Sequence, residues 1–232
     1  MLETKRDVAR RPFLLRLGLG VAALGAGGAP KARAQGRAAG ARFQPLLHAQ
    51  DDWFDQVKGR HRFVFDTTTP AAAGGALAYA GNYFAANKSG YGLEPNDLAV
   101  VIVFRHFATP FAYNDAVWAK YGPAMSDLLM FADPKTKQPL SFNIYNSPDY
   151  GLALANFGTT LDSLIQRGAQ FAVCDMATHF VAGLLAGKTK GDADAIYREL
   201  VAGMIANSHL VPAGIVAVNR AQERGYSLAS VA

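Results

Sequence analysis

Cys174 is the single cysteine of this 232-residue chain and the side chain best suited to covalent chemistry. It follows Gln170 to Val173, which is expected to form a short buried strand, and it precedes an apolar stretch expected to be a helix. In α/β proteins, ligand sites lie where strands end and helices begin. The positive end of a helix dipole also favours the nucleophilic thiolate. We therefore expect any reactive centre here, although free cysteines are commonly buried and inert.

Other polar residues follow further predicted strands, and they define the possible neighbours of this cysteine. Asp66 ends the first strand, Arg105 and His106 follow the second, and Asn219 and Arg220 follow a strand predicted over 212–218. The carboxyl ends of parallel strands meet at one edge of a sheet, so these side chains are expected to approach Cys174. A guanidinium or an imidazolium there would stabilise a thiolate. The candidate catalytic residues are Cys174, His106 and Arg105.

Competing chemistries find little support in the sequence. The five histidines form no metal-binding pattern with a second cysteine or with a His-Glu motif, so no metal site is predicted. The turn Thr67-Thr68-Thr69 before a helix could cradle a phosphate, as in flavodoxins, but Pro70 removes one donor. No cofactor is predicted. Serine hydrolysis is not expected, because the chain has no Gly-x-Ser-x-Gly elbow.

The elements that must position these residues alternate between strands and helices. The predicted strand from Asp97 to Phe104 is continuously apolar after its first residue, which predicts a central strand buried on both faces. Thr69 and Pro70 predict the start of a helix over 70–87, and residues 192–207 carry an amphipathic helical stripe. Residues 133–156 are predicted to be an irregular surface excursion or lid. The pattern predicts a doubly wound α/β domain with a mainly parallel sheet of about five strands.

The first 34 residues have the features of an export signal. A basic segment precedes an apolar stretch over 13–29, and Ala32-Arg33-Ala34 provides a cleavage site. Arg10-Arg11-Pro12-Phe13-Leu14 resembles the twin-arginine consensus, whose pathway exports folded proteins. We expect a signal over 1–34, a tether over 35–59, and one domain over 60–232. The expected location is the periplasm, with the twin-arginine export machinery as a partner and no stable membrane anchor after cleavage.

The net charge of +5 comes from this targeting segment. Residues 1–34 hold seven of the 23 Lys and Arg residues and two of the 18 Asp and Glu residues. The rest of the chain therefore has 16 residues of each sign and no net charge. This balance gives no basis for predicting nucleic-acid binding or attraction to an anionic membrane.

Several short motifs resemble the DsrE/DsrF-like (YchN-like) family over roughly residues 60–232. They are Gly168-x-x-Phe171-x-Val173-Cys174, residues 211–218 and residues 222–226. More narrowly, Arg105-His106, residues 108–112 and residues 118–121 resemble an uncharacterised exported branch that carries twin-arginine signals.

The resemblance implies a flavodoxin-like three-layer α/β/α fold and assembly as a homo-oligomer, often a trimer or a hexamer. The best understood members carry sulfur as a persulfide on one cysteine, which matches Cys174 here, and pass it to an acceptor protein. Export and the segment 133–156 distinguish this chain from those members. Two hypotheses follow: a sulfur carrier or sulfurtransferase-like protein acting through Cys174, or a non-catalytic module that binds a small ligand or supports assembly.

Overall fold

A computed structural model describes residues 44–232, so the predicted signal and the first part of the tether lie outside the described residues. The described chain forms one sheet of five parallel strands in the order β4-β3-β2-β1-β5. The strands are β1 (His61–Thr67), β2 (Leu98–Phe104), β3 (Gln170–Cys174), β4 (Ser208–Val211) and β5 (Ser227–Val231). The predicted fold class, a flavodoxin-like three-layer α/β/α arrangement with a parallel sheet, is confirmed.

The helices cover the two faces of the sheet unequally. The first face packs against α2 (Pro70–Tyr91), α3 (Asp115–Leu129), α4 (Leu161–Gln166), α5 (Asp175–Thr189) and α6 (Ala193–Ala202). The opposite face packs against α1 (Trp53–Gln56) and α7 (Gly214–Glu223). Since α7 connects the edge strand β4 to β5 at the other edge, this single helix crosses all five strands.

The central strand and the first long helix agree with the sequence predictions. Every residue of β2 is buried, because this strand has a neighbour on each side and helices over both faces. Helix α2 begins at Pro70, and the Thr69 hydroxyl accepts a hydrogen bond from the Ala72 amide at 3.1 Å. A side-chain cap of this kind satisfies one of the free amides in the first turn of a helix.

The prediction of a strand over 212–218 is wrong. The edge strand is β4, which ends at Val211, and helix α7 begins at Gly214. The buried residues Gly214, Ala217, Val218 and Ala221 recur at helical spacing, so packing on the sheet outweighs the β-branched character of Ile215 and Val216. The helix predicted over 192–207 is also shorter, since α6 ends at Ala202.

Residues 133–156 are irregular, as predicted, but the middle of this segment belongs to the core. Leu140, Ile144 and Tyr145 are fully or almost fully buried. The Asn143 amide donates hydrogen bonds to the Phe111 and Tyr113 carbonyls, both at 2.8 Å. The lid interpretation is therefore corrected: the segment is packed into the body, and none of its residues lines the cavity around Cys174 described below.

The short N-terminal helix α1 is held against the second face by aromatic and ionic contacts. Phe54 is buried, and the Tyr226 hydroxyl donates a hydrogen bond to its carbonyl at 2.7 Å. The buried Arg224 side chain pairs with Asp55 at 3.1 Å. No helix among residues 44–232 combines the length and the hydrophobicity needed to cross a membrane.

Candidate functional site

The candidate site is a cavity of about 360 Å³ at the carboxyl end of the sheet, which we call the cysteine cavity. Its lining comprises Arg105, His106, Phe107, Cys174, Met176, Ala177, Phe180, Ala213, Gly214 and Ile215. The residues follow the end of β2, end β3, and belong to the first two turns of α5 and to the start of α7. The cavity thus lies where parallel α/β sheets commonly bind ligands.

Cys174 ends β3 and is the N-cap residue of α5. Its Sγ atom accepts a hydrogen bond from the Ala177 amide at 3.4 Å, and only 6% of the residue is exposed. The sulfur atom therefore lies at the N-terminus of α5, in contact with one of the free amides of its first turn. The sequence placed Cys174 at this junction, and the structure puts it at the wall of a cavity.

Behind Cys174, a buried chain of hydrogen bonds fixes the start of α5. The Thr178 hydroxyl donates to the Cys174 carbonyl at 3.0 Å and lies 3.1 Å from the Tyr113 hydroxyl, which donates to it. Burial raises the pKa of Tyr113, so its phenol stays protonated and available as a donor. These hydrogen bonds restrain the backbone of Cys174.

Arg105 enters the cavity as one half of an ion pair with Asp66. Its Nε and Nη2 atoms donate to the two carboxylate oxygens at 2.7 and 2.9 Å. The pKa of the Arg105 guanidinium is raised, mainly by this hydrogen bonding; burial opposes the shift, and the charges of Asp66 and Cys174 add to it. Two forked contacts hold the guanidinium in one orientation. Among the described residues, the third nitrogen, Nη1, makes no hydrogen bond.

His106 lies at the mouth of the cavity with an unusual backbone conformation. Its φ angle is +52°, in the left-handed region, and it is the first residue of a 3₁₀ turn over His106–Ala112. Non-glycine residues adopt this region at some cost, and strained positions of this kind concentrate at functional sites. His106 is exposed and forms part of the cavity lining.

The first turn of α7 forms the opposite wall, which the sequence does not predict, because the apolar run over 212–218 favours a strand. A Cβ atom at Gly214 would lie 2.5 Å from Arg105 Cβ and 3.0 Å from Arg105 Cδ. Glycine is therefore the residue that lets Arg105 lie flat against the helix. The N-cap residue Ala213 offers no side-chain acceptor, so the first amides of α7 lie at the wall of the cavity without a side-chain cap.

Four large apolar side chains surround the opening, and we call them the apolar rim. Phe107 is 43%, Met176 69%, Phe180 56% and Ile215 58% exposed. Clustered exposure of this kind marks surfaces that bind ligands or partners. The sequence contained one signal for it: Met176 and Phe180 are spaced by one turn on α5, away from its buried residues Val181, Ala182 and Leu185.

Not all the predicted neighbours reach the cavity. Arg105, His106 and Cys174 line it, whereas Asp66 lies behind Arg105 as its ion-pair partner. Asn219 and Arg220 lie farther along α7, and Arg220 pairs with Glu223 at 2.7 Å. The threonine turn has internal partners, since the Thr67 hydroxyl donates to the Val103 carbonyl at 2.7 Å. Within residues 44–232, no three His, Cys, Asp or Glu side chains are grouped as metal ligands.

The fold and the cavity define a class: an α/β/α protein with a cysteine at the crevice where its strands end. Comparison with known proteins adds no narrower assignment, because no family model, curated protein or solved structure matches this chain.

Proposed function

We propose that this protein is an exported DsrE/DsrF-like sulfur carrier, or a sulfurtransferase-like protein, that holds a persulfide on Cys174. The observation that supports this proposal most directly is the placement of Cys174 Sγ at a helix start, in one cavity with Arg105 and His106. These are the groups expected around a nucleophilic thiolate that accepts sulfur from a persulfide donor.

The loading step is a thiol–disulfide-type exchange. The Cys174 thiolate attacks the outer sulfur of a donor R–S–SH, a new S–S bond forms, and the donor S–S bond breaks. The electron pair of that bond leaves as R–S⁻, and the terminal sulfur on Cys174 keeps its proton. Arg105 Nη1, the Ala177 amide and the uncapped amides of α7 stabilise the negative charge on the sulfur atoms, and His106 at the mouth donates a hydrogen bond to the donor.

Intact mass measurement tests this proposal. The purified protein is incubated with sodium tetrasulfide, desalted and measured, with the Cys174→Ala variant as the control. The expected result is a mass increase of one sulfur atom that reverses with dithiothreitol and is absent from the variant. Without a Cys174-dependent adduct, the sulfur-carrier proposal fails.

The role of His106 is tested in the same assay with a variant that tolerates its backbone. Asparagine also occurs readily in the left-handed region, so His106→Asn removes the imidazole and leaves the turn intact. Loading is expected to slow several-fold, because one hydrogen bond to a neutral group contributes about 0.5–1.5 kcal/mol. An unchanged rate would remove His106 from the site.

The cellular setting proposed here rests on the sequence resemblance and on the signal predicted over 1–34. We place the protein in the periplasm after twin-arginine export, as a homo-oligomer that passes sulfur to an acceptor protein. Size-exclusion chromatography with light scattering, and tracking of a signal-bearing reporter to the periplasm, test these two points separately.

The second candidate is a non-catalytic module in which the cavity binds a small ligand and Cys174 only packs. The 6% exposure of Cys174 favours it, since inert cysteines are typically buried. In that case Cys174→Ala would leave ligand binding and oligomer size unchanged, and the protein would gain no sulfur from any donor.

A further inference from the structure

We infer that the cysteine cavity selects an organic persulfide with an apolar substituent as its sulfur donor, in preference to an inorganic polysulfide. This inference rests on the proposed function and names the class of donor. It comes from the contrast between the few polar groups near Cys174 and the apolar rest of the cavity.

The size of the cavity exceeds what sulfur atoms alone require. At about 360 Å³ it falls within the range of sites for small organic ligands, which is about 300–1,000 Å³. Two sulfur atoms beside Cys174 Sγ would leave most of this volume to water. A substituent on the donor would fill it and displace that water from apolar side chains.

The chemistry of the walls indicates what the substituent is. Arg105 and His106 provide the polar contacts, whereas the apolar rim and Ala177 line the remainder. The polar end of the ligand therefore lies toward Arg105 and the helix amides, and its apolar body lies against Phe107, Phe180 and Ile215. Burial of apolar surface provides affinity in proportion to the area covered.

The depth of the thiol favours a small molecule over a protein-borne persulfide. Cys174 is 94% buried at the wall of the cavity, whereas the rim residues stand 43–69% exposed around the opening. A cysteine on a folded partner would have to reach past these side chains, whereas a benzyl-sized persulfide is small enough for the volume of about 360 Å³.

The test compares three donors on the full-length protein: benzyl hydropersulfide, sodium tetrasulfide, and a persulfidated Gly-Cys-Gly peptide. Intact mass gives the rate of loading on Cys174. Phe180→Ser removes one rim ring, and Phe157→Ser is the matched control, because Phe157 is 61% exposed and lies outside the cavity lining. Both residues are largely exposed, so both variants are expected to fold, which circular dichroism checks.

Loading from benzyl hydropersulfide is expected to fall about tenfold in Phe180→Ser and to stay unchanged in Phe157→Ser. Loading from tetrasulfide should change less than about twofold in either variant, because its sulfur chain leaves the rim uncovered.

Three results would overturn the inference. If Phe180→Ser changes the loading rates from benzyl hydropersulfide and from tetrasulfide equally, or changes neither, the rim does not recognise the donor. A peptide donor that outpaces the benzyl one would favour a protein partner. In both cases Cys174 still gains sulfur and the proposed function stands, whereas no adduct from any donor removes the proposed function as well.

Discussion

At the scale of single residues, Arg105 is the charged group that most affects the electrostatics of the cavity. Its forked pairing with Asp66 orients the guanidinium, and the carboxylate also offsets part of its charge. The pair is mostly shielded from solvent, with side-chain exposures of 19% for Arg105 and 8% for Asp66. Removal of Arg105 alone would leave a buried carboxylate without a partner, which costs about 3–5 kcal/mol of stability. A test of function therefore has to remove both charges together.

The double variant Asp66→Asn/Arg105→Met is expected to load sulfur on Cys174 about ten- to hundredfold more slowly, because a hydrogen-bonding cation near the reacting anion contributes about 1.5–3 kcal/mol. The measurement is the rate of persulfide formation by intact mass, with stability followed by urea unfolding. Arg105→Lys keeps the charge but loses the fork, so an intermediate rate is expected.

The control is Lys88→Met/Glu94→Gln, which removes an exposed ion pair at 3.1 Å that lies outside the cysteine cavity. This variant is expected to load sulfur at the unaltered rate. If both double variants load equally fast, Arg105 has no part in the chemistry.

Gly214 is a second position in the cavity wall, after Arg105, where the structure depends on the residue type. Gly214→Ala would place a methyl group 2.5 Å from Arg105 Cβ, so the arginine or the helix must shift. We expect a loss of about 1–3 kcal/mol in the free energy of unfolding, as for other overpacked sites, together with slower sulfur loading. Urea unfolding and the mass assay measure the two effects.

Gly183→Ala in α5 is the control, because a Cβ there meets nothing within 4 Å. It is expected to stabilise the protein by about 0.5–1 kcal/mol, the usual gain from alanine over glycine within a helix. Equal effects of the two substitutions would contradict the close packing of Arg105 on α7.

At the scale of elements, the difference between α7 and the predicted strand shows where sequence patterns lose information. Ile215, Val216 and Val218 favour a strand locally, and the true strand β4 is short, lies at a sheet edge and is only partly buried. Composition alone therefore identifies neither element. The helix in particular gains its stability from the sheet face that it crosses. The wrong strand over 212–218 places Asn219 and Arg220 in the predicted site and leaves Gly214 out of it.

The docking of α1 on the edge strand β4 gives a prediction about pH. His209 stacks on Trp53 with ring centroids 4.0 Å apart, and its Nε2 atom shares a hydrogen bond of 2.9 Å with Gln170 Oε1. Burial lowers the pKa of His209 below its ordinary value of 6.5. His209 therefore binds a proton more readily in the unfolded chain than in the folded chain. The free energy of unfolding decreases as the pH falls below about 6.5.

His209→Gln is expected to lower stability at neutral pH, because stacking on Trp53 is lost, and to weaken the decline of stability below pH 6.5. Urea unfolding at a series of pH values measures both effects. The exposed His61 at the start of β1 provides the control variant His61→Gln. The assignment is contradicted if the pH dependence of His209→Gln equals that of the unaltered protein.

At the scale of the whole molecule, the sequence was sufficient to predict the fold class and which residues at the ends of β1, β2 and β3 lie at the same edge of the sheet. The continuous apolar run at Leu98–Phe104 identified the central strand, and Thr69 with Pro70 identified the start of α2. Parallel pairing then brought Asp66, Arg105, His106 and Cys174 to one edge. The apolar rim and the wall formed by α7 could not be predicted, because they depend on which helix faces remain uncovered after packing.

The central claim is that Cys174 is a reactive thiol in the folded protein, at the wall of an open cavity. Alkylation by iodoacetamide in the native state, followed by intact mass over a range of low urea concentrations, tests it most directly. We predict that Cys174 is alkylated at a rate that stays constant until the unfolding transition begins, because the reagent enters through the cavity. A rate that rises with urea in step with global unfolding, and that vanishes without it, would mean that Cys174 is an inert core residue.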